Sequence, residues 1–330
     1  MKIALLLIAI MVIAVGAVEA ALRLLFGFGN PPLYVADPQV GYRLAPNQRV
    51  RRFGNRIEIN QYSMRGGPIA PTPDPGTVRI LLLGDSIANG GWWTDQPDIL
   101  SAQIEHRLTD DAPPKDVEVL NASANSWGPR NELAYLMRFG SFGSRVVVLL
   151  INTDDLFATA PTSVQVGRDR NYPSRRPPLA LLEVLARFQK PKPIPELEAL
   201  HQESGDRVGV NLEAIRQIQR QVQGQRGQLL LAMTPLLREV VPPGSRDYEI
   251  VARDRLRTFT TAEQIPYLDF LADFQSASDP PALYRDHIHL SPAGNTLVSS
   301  AIAQALRLQL GPNPLPPVKL PDSLLNDPWE

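Results

Sequence analysis

Cysteine is absent from the 330-residue chain, and histidine occurs only four times. The first absence excludes disulfide scaffolds, thiol nucleophiles and thiolate metal sites together. The second leaves little from which to build a multi-histidine metal centre. An excess of positive charge is missing too. Lys+Arg number 33 against 34 Asp+Glu, for a net charge of −1, so there is no basic field to draw a nucleic acid. With 44% hydrophobic and 20% charged residues, the chain is too apolar and too balanced to be disordered. Proline, by contrast, is plentiful at 32 residues, which predicts long ordered loops rather than an all-helical fold. The length fits roughly two domains, or a single α/β domain with added segments.

Long apolar runs are confined to the N-terminus. Behind Lys2, residues 3–18 carry no charge, Glu19 interrupts, and apolar residues resume on both sides of Arg23. The run of 16 residues is just short of the roughly 17–25 that span a bilayer. Counting through Leu22 brings it to 20. A retained signal-anchor is the expected reading, because the run exceeds a usual signal core and continues past Arg23. Its competitors are a secretory signal cleaved after Ala20 and a buried core helix. Residues 1–29 are thus an anchor or signal segment. The rest is expected beyond the membrane, in the periplasm or outside the cell.

Residues 30–75 read as an extended lead-in with short strands, such as 56–60. Apolar β-rich runs then follow at 77–83, 116–120, 145–151, 228–234 and 266–270. Helical patterns lie at 97–109, 130–140, 210–223, 247–263 and 292–310. This alternation predicts a parallel sheet with crossover helices over 76–310. Residues 156–205 break the rhythm with several arginines and prolines around a short apolar helix at 179–188. They form either a surface excursion or a substrate-covering lid. Residues 311–330 are a Pro-rich tail.

In an open parallel sheet, ligands bind at the carboxyl ends of the strands, so residues just past each run carry the chemistry. Ser86 follows Gly84 and Asp85 at one such end. A serine on a tight strand-to-helix turn presents its hydroxyl above the sheet beside free N–H groups, as an acyl-transfer nucleophile requires. The plainer reading is a turn with a helix cap. Asp286 and His289 precede the last helix, whose start is marked by Ser291 and Pro292. Their spacing lets the carboxylate fold back onto the imidazole, fix its tautomer and stabilise the imidazolium. His287 is a rival base, one residue from Asp286. Trp92 and Trp93 either pack the first helix against the sheet or face a substrate. Asn89 and Trp127 fall near the same rim.

In this order the pieces resemble the SGNH hydrolases, the GDSL-type esterases and lipases. Gly84-Asp85-Ser86-Ile87 is similar to their first block, Asn121-Ala122-Ser123-Ala124-Asn125-Ser126 to the second, and residues 147–155 to the third. Asp286-His287-Ile288-His289, with the following Leu290-Ser291-Pro292-Ala293-Gly294, resembles the fifth. The resemblance covers residues 78–308. The lead-in looks like a membrane-anchored bacterial branch, with Glu19 and Arg23, Gly41-Tyr42-Arg43-Leu44, Ile59-Asn60 and Met64-Arg65-Gly66. The resemblance implies a flavodoxin-like three-layer α/β/α sandwich on a five-stranded parallel sheet. It also implies Ser86 as nucleophile and His289 and Asp286 as its partners, with no metal or organic cofactor.

Two positions depart from the family pattern. Ser126 stands where a glycine usually lends its backbone N–H to the oxyanion hole, a task that does not need glycine. Asp154 stands where an asparagine usually donates its amide, and Asn152 where a glycine does. An ionised carboxylate repels an oxyanion; it serves only if protonated, or if it turns away while Asn152 or a water substitutes. The expected oxyanion donors are therefore Ser86, Ser126 and one of Asp154 and Asn152. The expected function is hydrolysis of a carboxylic ester, O-acetyl by expectation, on a cell-envelope or exopolysaccharide glycan. The alternatives are a glycan O-acyltransferase with the same triad and a non-catalytic polysaccharide-binding or assembly protein. An acylated small molecule or glycan and the membrane are the expected partners; a nucleic acid is not.

Overall fold

A computed structural model describes residues 1–110 and 116–311. The expected tail at 311–330 lies, apart from Gly311, outside the described residues. The chain opens with helix α1 (Lys2–Phe26), none of whose side chains is buried. It is long and apolar enough to cross a membrane. It stops at Gly27, whose φ of 73° is left-handed and whose Cβ, if present, would lie 1.8 Å from the Arg51 carbonyl oxygen. Only glycine satisfies both conditions.

The lead-in forms two antiparallel hairpins, β1 (Tyr34–Asp37) with β2 (Gly41–Leu44) and β3 (Gln48–Arg52) with β4 (Asn55–Ile59). The short strands expected in this stretch are thus present, the one at 56–60 as β4. The hairpins are stapled to the body by buried polar groups. The Tyr42 hydroxyl donates to Asn125 O at 2.5 Å, and the Trp127 indole donates to Tyr42 O at 2.9 Å. Arg65, fully buried, donates to the carbonyls of Asn89, Gly91 and Thr94.

The body is the expected parallel sheet. Its strands are β5 (Val78–Gly84), β6 (Val117–Ser123), β7 (Val146–Asn152), β8 (Gln228–Thr234) and β9 (Tyr267–Asp269), in the order β6-β5-β7-β8-β9. The helices are α2 (Ser86–Asn89), α3 (Leu100–Asp110), α4 (Pro129–Phe139), α5 (Ala180–Phe188), α6 (Pro195–His201), α7 (Arg207–Gly224), α8 (Leu237–Val240), α9 (Asp247–Ala262), α10 (Leu271–Gln275) and α11 (Pro292–Leu310). Successive strand residues point to opposite faces. Leu81, Leu83, Val147 and Leu149 meet α4, α7 and α9 on one side. Ile80, Leu82, Val148 and Leu150 meet α3 and α11 on the other. The result is a three-layer α/β/α sandwich. α7 starts three residues before its expected position because the Asp206 carboxylate caps it, accepting from Gly209 N at 2.9 Å. The chain leaves β5 for β6 and returns across it to β7, so the sheet order reverses beside the carboxyl ends of β5 and β7. A crevice opens at such a reversal.

Candidate active site

β5 ends at Gly84, where a Cβ would meet Leu150 O at 2.7 Å and Ala88 Cβ at 2.8 Å. The missing side chain lets α2 turn tightly against β7. Asp85 caps α2, accepting from Ile87 N at 2.8 Å. Ser86 therefore occupies the first turn, where backbone N–H groups lack intrahelical acceptors. Its Oγ lies 2.9 Å from His289 Nε2. His289 Nδ1 lies 2.8 Å from Asp286 Oδ2 and 3.1 Å from Oδ1. The Asp286 carboxylate also accepts from Ile288 N and His289 N, at 3.0 and 2.9 Å. Burial alone would raise its pKa, but the His289 and Ile288 N–H groups and the imidazole outweigh it and hold the carboxyl below its ordinary value.

The loop carrying this pair is fixed at both ends. Arg285 N donates to His289 O at 2.8 Å, and Leu237 N donates to His287 O at 3.0 Å. The Trp93 ring packs on the imidazole with centroids 4.4 Å apart, and the Arg285 guanidinium covers Trp92 and Trp93 at 5.0 and 4.8 Å. His287, the rival base, points to solvent with its side chain 79% exposed, and its Nδ1 is 3.9 Å from Asp286.

The oxyanion candidates separate. Ser126 adopts φ 57°, a left-handed conformation that costs a non-glycine residue about 1–2 kcal/mol. That backbone requirement explains why glycine suits the position. The N–H groups of Ser86 and Ser126 find no backbone acceptor among the described residues. The Ser126 hydroxyl accepts from Tyr172 OH at 2.9 Å. The Asp154 carboxylate is 54% exposed and pairs with Arg238 at 3.3 Å. Asn152 points inward, but its amide Nδ2 donates to Asp85 Oδ2 at 2.9 Å and Asp155 Oδ2 at 2.8 Å. Both amide hydrogens are thus committed to carboxylates. Neither side chain expected as the third donor is free to serve, because Asp154 is paired with Arg238 and the amide of Asn152 is held by Asp85 and Asp155.

Below Ser86 lies a group of buried acids that sequence did not bring together. Burial raises Asp85 to about 6, against the pull of Ile87 N–H, His289 and Asn152. Burial and the neighbouring Asp85 charge push Asp155 and Glu132 well above the carboxylate range. Among the described residues, neither Glu132 oxygen has a hydrogen-bond partner.

Two cavities, of about 400 and 560 Å³, meet at Ser86, Ser126 and Tyr172. The first is walled by Trp92, Trp93, Asn89 and His289, and the second runs past Asp154 toward His201 and Arg207. Arg170, Asn171 and Tyr172 of the 156–205 segment line the first cavity. Tyr172 packs tilted against Tyr34 and edge-on to Tyr42, with centroids 5.1 and 5.2 Å apart. Nothing in the local pattern around Tyr172 signals this contact, whereas Arg285 is adjacent to the recognisable motif. Among the described residues, no group of three or more acidic or histidine side chains is placed to hold a metal ion.

The sequence profile of the GDSL-like lipase/acylhydrolase family matches residues 82–297. No curated protein sequence matches the chain. Similar solved structures include the acetyl xylan esterase AlAXEase, with 14% identity over 70% of this chain and 100% of that one at a TM-score of 0.48. TesA shows 16% identity over 70% and 98%, with a TM-score of 0.46. The acetylxylan esterase Axe2 from Geobacillus stearothermophilus shows 14% identity over 69% and 93%, with a TM-score of 0.47.

Proposed function

The chain belongs to the GDSL-like lipase/acylhydrolase family and is an ester hydrolase, and from that premise we propose that Ser86, His289 and Asp286 perform the hydrolysis. The observation that carries the proposal is the unbroken run of contacts from Ser86 Oγ to His289 Nε2 at 2.9 Å and from His289 Nδ1 to Asp286 at 2.8 Å. Ser86 Oγ attacks the acyl carbonyl while His289 Nε2 takes its proton. The developing oxyanion is met by the N–H groups of Ser86 and Ser126. As the tetrahedral intermediate collapses, the ester C–O bond breaks and His289 returns the proton to the departing alcohol. Water, deprotonated by the same imidazole, then cleaves the acyl-enzyme and restores Ser86. Asp286 stays ionised throughout and holds the imidazole in the tautomer that leaves Nε2 free to accept.

The substrate of this reading is an O-acetylated glycan of the cell envelope. Trp92 and Trp93 line the cavity together with Asn89, Asn125 and Asn171, and such a mixture of apolar and polar surface suits a sugar ring. The helix α1 is read as a retained anchor, with the catalytic body beyond the membrane. Support comes from Glu19, which accepts from Ala180 N and Leu181 N at 2.8 and 2.9 Å. Cleavage after Ala20 would remove a residue that caps α5. The test of substrate is acetate release from acetylated oligosaccharides by the full-length protein. Release in water alone supports hydrolysis. Transfer seen only when a sugar acceptor is added contradicts it, and no turnover of any acetylated glycan alongside rapid turnover of simple acetyl esters contradicts the glycan.

A further inference from the structure

We propose that α5 is an interfacial helix that lies in the headgroup layer of the bilayer crossed by α1 and sets the mouth of the catalytic cavity against lipid. The proposal rests on the reading of α1 as a retained anchor.

The first argument is position. Twenty residues at about 1.5 Å each give the roughly 30 Å of a hydrocarbon core, so a span that begins at Ile3 leaves the core near Leu22. Glu19 then sits at the boundary, and Leu24, Leu25 and Phe26 fall in the headgroup layer. α5 is fastened at that level. Glu19 caps it. Arg23 donates to Glu19 at 2.6 Å and to Pro178 O at 3.0 Å. Farther along, Glu183 pairs with the buried Arg52 at 2.6 Å and accepts from Gly29 N at 2.7 Å. Wherever the end of α1 sits, α5 sits beside it.

The second argument is chemistry. Leu182, Leu185 and Phe188 recur every third residue on an exposed side of α5, and Phe188 is 84% exposed. Leu24, Leu25 and Phe26 at the end of α1 are exposed as well, as is Phe53 at the β3–β4 turn, which packs on Phe26. Exposed cations bracket the helix, Arg175 and Arg176 before it and Lys190 and Lys192 after it. Apolar side chains flanked by cations are the composition of a helix bound to an anionic lipid surface.

The third argument is continuity with the site. Arg187 of α5 and Pro31 and Pro32 beside α1 line the cavity that holds Ser86. A file of rings runs from the end of α1 to the imidazole: Phe26 to Phe53 at 5.9 Å, Phe53 to Trp92 at 5.1 Å, Trp92 to Trp93 at 5.8 Å, and Trp93 to His289 at 4.4 Å. The wall of the cavity begins at the membrane. A substrate held on a lipid carrier, with its acylated part in the headgroup layer, reaches Ser86 along it without entering bulk water.

The absence of cysteine makes the test direct. Val12→Cys, Leu185→Cys and Gln223→Cys are each labelled with bimane in the full-length protein. Gln223, near the end of α7, is exposed just before the start of β8, at the opposite end of that strand from the carboxyl ends that carry the site. The proteins are placed in phosphatidylcholine–phosphatidylglycerol vesicles carrying a nitroxide either at the headgroup or near the chain end. The expected result is quenching of position 12 by the chain-end label and at least about twofold quenching of position 185 by the headgroup label, with position 223 unaffected. Quenching at 12 with position 185 as bright as 223 overturns the proposal while leaving the anchor intact. No quenching at 12 overturns the anchor, and this proposal with it.

Discussion

At Asp154, exposure decides between two roles. The carboxylate is 54% exposed and paired with Arg238, so its partner is a guanidinium rather than an oxyanion. Asp154→Asn should leave kcat/KM on a small acetyl ester within about twofold of wild type, whereas a newly gained oxyanion donor would raise it about 100–1,000-fold. A rise of that size would mean that the side chain swings inward during turnover. Glu132 is the opposite case, buried with no partner for either oxygen among the described residues. In the unfolded chain it ionises near 4.5; in the folded protein burial and the Asp85 charge keep it protonated well above that. Its stabilising contribution is therefore complete below the unfolded value and declines as pH rises toward the folded one. Wild type should lose stability between about pH 5 and 7 more steeply than Glu132→Gln, by up to about 1.4 kcal/mol per pH unit for one proton. Denaturant unfolding at several pH values checks this; equal slopes in the two proteins would show that Glu132 is ionised when folded.

The elements differ in how far sequence reveals them. Strands β5, β7 and β8 are runs of four or more buried apolar residues, and such runs announce a strand buried on both faces. In the lead-in, short strands are expected but only the one at 56–60 is located, because β1 and β2 have four residues each, too few for alternation to stand out. Their purpose was also hidden. Tyr42 and Arg65 hold the loops after β6 and α2 through carbonyls, and a carbonyl has no sequence signature. Ser86, Asp286 and His289 were legible because strand ends and a three-residue spacing confine them locally. The positions of Asn152 and Asp154 were not, since the two differ only in which carboxylate or guanidinium each meets across the fold. The place of Tyr172 in the cavity wall likewise depends on its meeting two tyrosines far away in sequence.

At the scale of the whole molecule, an apolar helix, a lead-in and a catalytic sandwich are joined through α5, which touches the end of α1 and lines the cavity around Ser86. Mass analysis of the mature N-terminus in membranes tests the first link. A chain retaining residues 1–20 is expected, and one beginning at Ala21 would make the body a released enzyme. The central claim is that Ser86 is the nucleophile of an ester hydrolase. It is tested most directly by treating the full-length protein with a fluorophosphonate and locating the adduct by peptide mass mapping. The account predicts a single adduct on Ser86, absent from Ser86→Ala and strongly reduced in His289→Ala, with p-nitrophenyl acetate turnover lost in parallel. An adduct on another serine, or a Ser86→Ala protein that labels and turns over like wild type, would contradict it.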